Sequence, residues 1–415
     1  MPKSESEHAS RLSVLPTIAV TSLELSEVNM EEGVPMSDHR HSTYAMISTF
    51  PPTQCGIATF AAALSGGLYE LGDDVGIVRV GGENDVARPN VVADLSDSRG
   101  RVSIGALEAL NQADVVIVQH EYGIYDGPDG ESIVAVLEEI DRPTIVVAHT
   151  VLEFPTEHQR SVLEAVVRSA DAVVVMTEAG RVRLRTGFDV DPSKISVIPH
   201  GAAVSTTTRS HRPSDRPQLL TWGLLGPGKG IEWVIDALAM VRNVHPRPCY
   251  VVAGKTHPKV LEYEGDVYRE MLEQRVIDRK VEGDVIFSPE YRTLDSLAQL
   301  IRDSSIVILP YDSPDQVTSG VLVDAIAAGR PVIATAFPHA VELLESGAGI
   351  VVPRRDPKAL ADAIRKVLTH PRLAEAMAAE ARRLAPSLAW PVIASRYGGL
   401  GEELLAKRAP VSASR

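Results

Sequence analysis

Residues 310–335 read PYDSPDQVTSGVLVDAIAAGRPVIAT, and the fold is decided there. The apolar run SIVILP ends at Pro310 and reads as a buried strand. A polar loop follows, Asp312 to Thr318, with Pro314 inside it. Thr318-Ser319-Gly320 marks a helix start, because a Thr or Ser hydroxyl caps orphan N–H groups. Gly320 lets another backbone or a ligand come close. Val321, Leu322, Ala325 and Ile326 carry the helix, Gly329 stops it, and Pro331 opens the strand PVIAT. Strand, loop, helix, strand is one parallel βαβ unit. Its ligand edge is where the strand ends and the helix begins, and the free N–H groups and dipole there favour a phosphate. Asp324, about one turn in, is placed to accept hydrogen bonds from ribose hydroxyls. An ordinary capped helix of an α/β domain has the same signature, so this unit alone does not name a ligand.

Working outward, the same alternation continues on both sides. Before the unit come LLTWG, IEWVIDALAMV, CYVVAG, VIFS and LDSLAQLI; after it come GIVVP and helices near 357–369, 372–384 and 390–405. Further upstream lie YAMIST, DVGIVRV, VVIVQ, TIVVA, AVVVM and ISVIP, separated by helical stretches. These strands are continuous apolar runs, as expected of a parallel sheet buried on both faces. The two series are separated by a polar stretch with two prolines. The expected organisation is a flexible tail at 1–42, a first doubly wound α/β domain at 43–204, a linker at 205–217 and a second at 218–387. A ligand cleft between the two is the default site.

Bulk properties narrow the classes. A chain of 415 residues, 44% hydrophobic and 23% charged, is an ordinary soluble globular protein of two to three domains. A net charge of −14 argues against nucleic acid or an anionic membrane as the main partner. Two distant cysteines, Cys55 and Cys249, give no disulfide framework and suit a reducing cytoplasm. No apolar run reaches a membrane span, and the N-terminus lacks a signal-peptide core.

Several residues carry chemistry. WGLLGPGKG, from Trp222 to Gly230, leads from a strand into a helix; Gly223 and Gly226 allow close backbone approach, and Lys229 offers a point charge where a diphosphate sits. The spacing is neither GxGxxG nor GxxxxGK[ST]. His120, His149 and His200 each follow a strand of the first domain, which puts all three on one rim. Local hydrogen bonding, a sugar-hydroxyl or proton-handling role and a zinc site are alternative readings of them. Glu121 is an acid, base or acceptor ligand, or a solvated loop carboxylate. Asp189 and Asp191 form a DxD pair, a pattern that can hold a divalent metal, but they sit in GFDVDPSK and are read as a polar Asp-Pro turn.

GLLGPGKG, DQVTSGVLVDAIAAGRPVIAT, PPTQCGIATF, VIPHG and AWPVIASRYGGL together resemble, from about residue 44 to 405, the GT-B-fold retaining glycosyltransferases of family 4, also called glycosyl transferases group 1. The resemblance implies two Rossmann-like domains facing across a cleft, with the C-terminal helix at 388–406 packing back on the first. It implies a nucleotide-diphosphate sugar of GDP-mannose or UDP-glucose type as donor and a hydroxyl acceptor. It implies retention at the anomeric carbon, no metal and no cofactor. Carried over by residue, Lys229, His149 and Gln316 fall at catalytic positions. Gly56, Gly223, Gly226, Lys229, Ser319, Gly320, Val321 and Asp324 fall at donor-binding positions; His120, Glu121 and His200 lie on the acceptor side. Gln316 replaces a glutamate, Asp324 is one methylene shorter than the usual glutamate, and Leu224 and His200 stand where many relatives carry arginine and asparagine. Epimerase or pseudo-glycosyltransferase chemistry, and non-catalytic binding of a nucleotide sugar, are the alternatives.

Overall fold

The computed structural model describes residues 41–81, 90–97, 100–204, 216–290 and 292–408. The tail expected at 1–42, as far as residue 40, and residues 205–215 of the expected linker lie outside them.

Two parallel sheets form the frame. The first holds β1 (Thr43–Ser48), β2 (Asp74–Arg79), β3 (Val91–Asp94), β4 (Val115–His120), β5 (Thr144–Ala148), β6 (Ala172–Val175) and β7 (Ile195–Val197), in the order β3-β2-β1-β4-β5-β6-β7. The second holds β8 (Gln218–Trp222), β9 (Cys249–Ala253), β10 (Val285–Ser288), β11 (Ile306–Leu309), β12 (Val332–Thr335) and β13 (Gly349–Val352), in the order β10-β9-β8-β11-β12-β13. Each has helices on both faces. Val116 and Val118 of β4 pack with Ile133 and Leu163 on one face. Ile117, between them, packs with Phe60, Leu64 and Tyr397 on the other. Successive side chains point to opposite faces of a strand, so two buried faces need an unbroken apolar run. The edge strand β3 escaped the sequence reading because it alternates between half-buried and exposed positions.

In both sheets the strand order reverses at one place, between β1 and β4 and between β8 and β11. Ligands of open α/β sheets bind outside the carboxyl ends of strands at such switch points. The ends of these four strands and the segments after them carry Gly56, His120 and Glu121, the glycine-rich segment with Lys229, and the Pro310–Ser319 segment.

The lobes are joined by paired crossings. Ala202 and Ala389 form an isolated parallel bridge. The Ala202 N–H donates to the Leu388 carbonyl at 2.8 Å, and the Trp390 N–H to the Ala202 carbonyl at 3.3 Å. The helix Trp390–Arg408 then returns along Gly56–Glu70 of the first lobe. Its approach is close enough that a Cβ on Gly67 would lie 2.8 Å from the Ala394 Cβ, and one on Gly401 would lie 2.6 Å from the Tyr44 hydroxyl. A second junction is electrostatic. Glu342, in the helix Pro338–Leu344, accepts hydrogen bonds at 2.9 Å from the N–H groups of Glu178 and Ala179, at the tip of the helix Glu178–Gly187. One lobe thereby caps a helix of the other.

Candidate functional site

Three loops of the second lobe interlock at the carboxyl ends of β8, β9 and β11. The Leu225 N–H donates to the Lys255 carbonyl and the His257 N–H to the Leu225 carbonyl, each at 2.8 Å. The Asp312 N–H donates to the Gly228 carbonyl at 2.9 Å. Gly230 has φ +68°, and a Cβ there would meet the Pro310 carbonyl oxygen at 1.8 Å. Only glycine fits. This clamp sets the direction of Lys229, whose Nζ lies 4.7 Å from the centroid of the Tyr311 ring. Burial pushes the Lys229 pKa down. No carboxylate among the described residues pairs with it.

Tyr311 connects Lys229 to the helix Gly320–Ala327. Its hydroxyl is buried and turned toward Ser319 without closing a hydrogen bond. Ser319 is the N-cap, and its Oγ accepts from the Leu322 N–H at 3.2 Å. Its own N–H, expected to face the phosphate, instead donates to His339 Nδ1 at 2.8 Å. The open donors at this tip are therefore the N–H groups of Gly320 and Val321, and the phosphate reading moves one residue along the chain. Asp324 is one turn further on the same face, partly buried like Gly320 and Val321. Its carboxylate has no hydrogen-bond partner among the described residues, and burial raises its pKa from 3.8 to about 7.

The first lobe contributes a cluster on one face of its sheet. His149 Nε2 lies 2.7 Å from Gln119 Oε1. The amide oxygen only accepts, so that nitrogen carries the proton and Nδ1 is an acceptor. Phe60 meets His149 and His200 edge-on, with centroids 5.0 Å apart in each pair. Burial above all, then His200 and His120, lowers the His149 pKa to about 3. Such an imidazole is neutral at physiological pH and suits a hydroxyl contact. His149 and Thr150 line a cavity of about 180 Å³ together with Ser313, Asp315, Gln316, Val317 and Thr318 of the second lobe. His149 and Gln316 thus share one chamber. Gln316 Nε2 donates to the Thr318 carbonyl, which leaves Oε1 as its acceptor.

The three rim histidines do not share one environment. His120 is fully buried beside Tyr122, on the face opposite Gln119, and neither ring nitrogen has a partner. All three lie at or just beyond the carboxyl ends of their strands, but strand alternation turns His120 to the other face of the sheet. His200 donates from Nδ1 to the Gly201 carbonyl at 2.6 Å and turns Nε2 toward the second lobe; a Cβ on Gly320 would sit 2.8 Å from it. Gly320 therefore admits a histidine of the facing lobe. Glu121 is not a solvated loop carboxylate. It is partly buried, burial raises its pKa, and Oε2 lacks a partner. Lys259 reaches across the cleft beside it, its Nζ donating to the Gly123 carbonyl at 3.1 Å.

Gly56 begins the helix Gly56–Glu70, is exposed, and a Cβ there would meet nothing within 4 Å. Asp189 and Asp191 sit in the turn before β7, at the opposite end of the sheet from the cleft; Asp191 accepts from the Ser193 N–H at 2.9 Å. They are turn residues. Among the described residues no group of three or more His, Cys, Asp or Glu is gathered as a metal site, and no helix is long and apolar enough to cross a membrane.

His339, Tyr311 and Lys259 were missed from sequence. His339 and Tyr311 follow β12 and β11, so the rule that singled out His149 would have found them if applied to the second lobe.

Comparison with known proteins gives a consistent result. The family described as glycosyl transferases group 1 matches residues 206–384, and glycosyltransferase family 4 matches residues 55–205. A D-inositol 3-phosphate glycosyltransferase of Jonesia denitrificans is 30% identical over 252 residues, which is 55% of each chain. The match thus spans little more than half of that relative's length. Among solved structures, Anabaena HepE in complex with UDP has a TM-score of 0.70 at 17% identity, covering 87% of this chain and 100% of its own. Sucrose-phosphate synthase of Thermosynechococcus elongatus has a TM-score of 0.69 at 19% identity, covering 88% and 100%. At these identities the likeness is one of fold.

Proposed function

The chain belongs to the GT-B glycosyltransferases of group 1, and from that premise we propose that it moves a hexosyl group from a nucleotide-diphosphate sugar to a hydroxyl acceptor. The reaction retains configuration and uses no metal. The observation that carries this reading is Lys229 and the open tip at Gly320 and Val321, gathered around one tyrosine at a switch point of the second sheet.

Breaking the glycosyl–phosphate bond sends the electron pair to the diphosphate oxygen, and charge grows there. Lys229 and the N–H groups of Gly320 and Val321 stabilise it. Asp324 accepts from the ribose hydroxyls. His149 Nδ1 and Gln316 Oε1 hold hydroxyls of the transferred sugar in the shared chamber. The acceptor oxygen forms its bond on the same face, and its proton passes to the departing phosphate oxygen. Glu121, His120 and His200 stand on the acceptor side. The chamber of about 180 Å³ is lined by both lobes, an arrangement that suits lobes parting to admit the donor and closing to exclude water.

The test is turnover of UDP-glucose and GDP-mannose, the former bound by the solved Anabaena relative, against a panel of hydroxyl acceptors. The expected product is an α-linked glycoside formed in the presence of EDTA. Epimerised or hydrolysed donor with no acceptor dependence, or tight binding without turnover, counts against the proposal. Loss of activity with EDTA and its return with Mn²⁺ counts against the metal-free route.

Gly56 supplies a separate check. Glycine within a helix costs up to about 1 kcal/mol relative to alanine, and nothing in the fold needs it there. Gly56→Ala is expected to melt at or above the wild-type temperature while weakening nucleotide-sugar binding severalfold, read by calorimetry.

A further inference from the structure

We propose that Tyr311 is the positioning residue for Lys229: its ring face holds the ammonium toward the pyrophosphate without neutralising it. The inference rests on Lys229 being the phosphate-facing cation and concerns how this chain keeps it so.

Lys229 Nζ lies 4.7 Å from the ring centroid, within the range of a cation–π contact. The ring itself is fixed. Tyr311 is 3% exposed and packs on the wholly buried Phe337, with centroids 5.2 Å apart and planes 32° from parallel. A carboxylate in the same place would hold Lys229 more strongly but compete with the diphosphate for it. An aromatic face offers a negative potential with no net charge, so the full positive charge stays available. The neighbouring titratable groups do not take over this task. His257, from the loop after β9, has its pKa lowered by burial, then by Lys229 and Lys259. Asp312, from the loop after β11, spends its carboxylate on the Trp233 Nε1–H and the Arg355 guanidinium. The buried Tyr311 hydroxyl is turned toward Ser319, whereas Lys229 lies over the ring, so the ring face is the operative part.

The experiment is calorimetric binding of UDP and GDP to the full chain from pH 7 to 10, for wild type, Tyr311→Phe, Tyr311→Leu and Lys229→Ala. Tyr311→Phe keeps the face and is expected to bind within about twofold of wild type. Tyr311→Leu is expected to bind roughly tenfold more weakly. Its affinity should also fall off at a lower alkaline pH, because an ammonium without its aromatic face gives up its proton sooner. Should Tyr311→Leu fail to fold, as judged by its melting curve, Tyr311→Met carries the same expectation. Wild-type affinity and alkaline limb in the Leu or Met variant overturn the inference. So does a loss in Tyr311→Phe equal to that in Tyr311→Leu, which would assign the effect to the hydroxyl. Lys229→Ala separates the two levels: binding as tight as wild type sinks the phosphate assignment itself, whereas its loss beside an unaffected Tyr311→Leu sinks only the role of the ring.

Discussion

Lys229→Ala is expected to lower transfer from a nucleotide sugar by at least ~10-fold and by as much as ~1,000-fold, with the melting temperature unchanged or higher. The lower bound follows from one lost charge-assisted hydrogen bond. The upper bound applies because leaving-group charge is greatest in the transition state, where a preorganised cation counts most. The stability expectation is less usual for a partly buried lysine. No carboxylate among the described residues pairs with Lys229, and its desolvation is a cost that the folded state bears. Removing the charge removes that cost and strands no carboxylate; only the contact with the Tyr311 ring face is given up. Steady-state kinetics beside a melting curve checks both, and near-full activity refutes the assignment.

Asp324→Asn is expected to show the same opposition more strongly. In the folded protein the Asp324 pKa is about 7 against an ordinary 3.8, so folding favours its protonated form. The fold is undisturbed by this group below the unfolded pKa, loses stability as pH rises from about 4 to 7, and bears the whole cost above 7. That cost is on the order of 2–4 kcal/mol. The asparagine variant should therefore melt higher than wild type at pH 8 and alike at pH 4. Binding runs the other way. Ribose hydroxyls donate to the ionised carboxylate and lower its pKa in the complex. Wild-type affinity is then flat above pH 7 and weakens by up to about tenfold per unit below it, whereas the variant is weaker and flat throughout. Nucleotide sugars suit the measurement because their diphosphate stays ionised across this window. His149, His200 and His339, with pKa values held down to about 3, 4 and 3 by burial, stay neutral there. A variant that melts lower at pH 8, or keeps the acid limb, removes Asp324 from the role.

What the sequence made legible follows from locality. The runs VVIVQ, TIVVA and AVVVM must be strands buried on both faces, and they are. The loop of Lys229 and the cap at Ser319 depend on a few adjacent residues, and both were readable. The chamber shared by His149 and Gln316 was reached through family resemblance, because no local pattern connects residues so far apart. What stayed hidden depends on direction. His120 and Gln119 are neighbours in β4 and must face opposite sides, so the parity was present in the sequence but not applied. The Ser319 amide is claimed by His339, twenty residues later, and only the packing of the helix Pro338–Leu344 brings that imidazole there. Tyr311, between the strand and the polar loop, was given no role from the sequence; its meaning comes from the glycine clamp that lays Lys229 across it.

The returning helix has a consequence for how the protein is made. Ile393, Tyr397 and Leu404 belong to the apolar layer of the first lobe, beside Phe60 and Leu64, yet in the chain they come after the whole of the second sheet. The lobe synthesised first cannot finish its own core until the other has emerged. A chain cut near residue 388 would carry both sheets but a first lobe with an open apolar trough along Gly56–Glu70. That order makes the helix Trp390–Arg408 a point of commitment, and it places the hazard of aggregation in the lobe that had the longer time to fold.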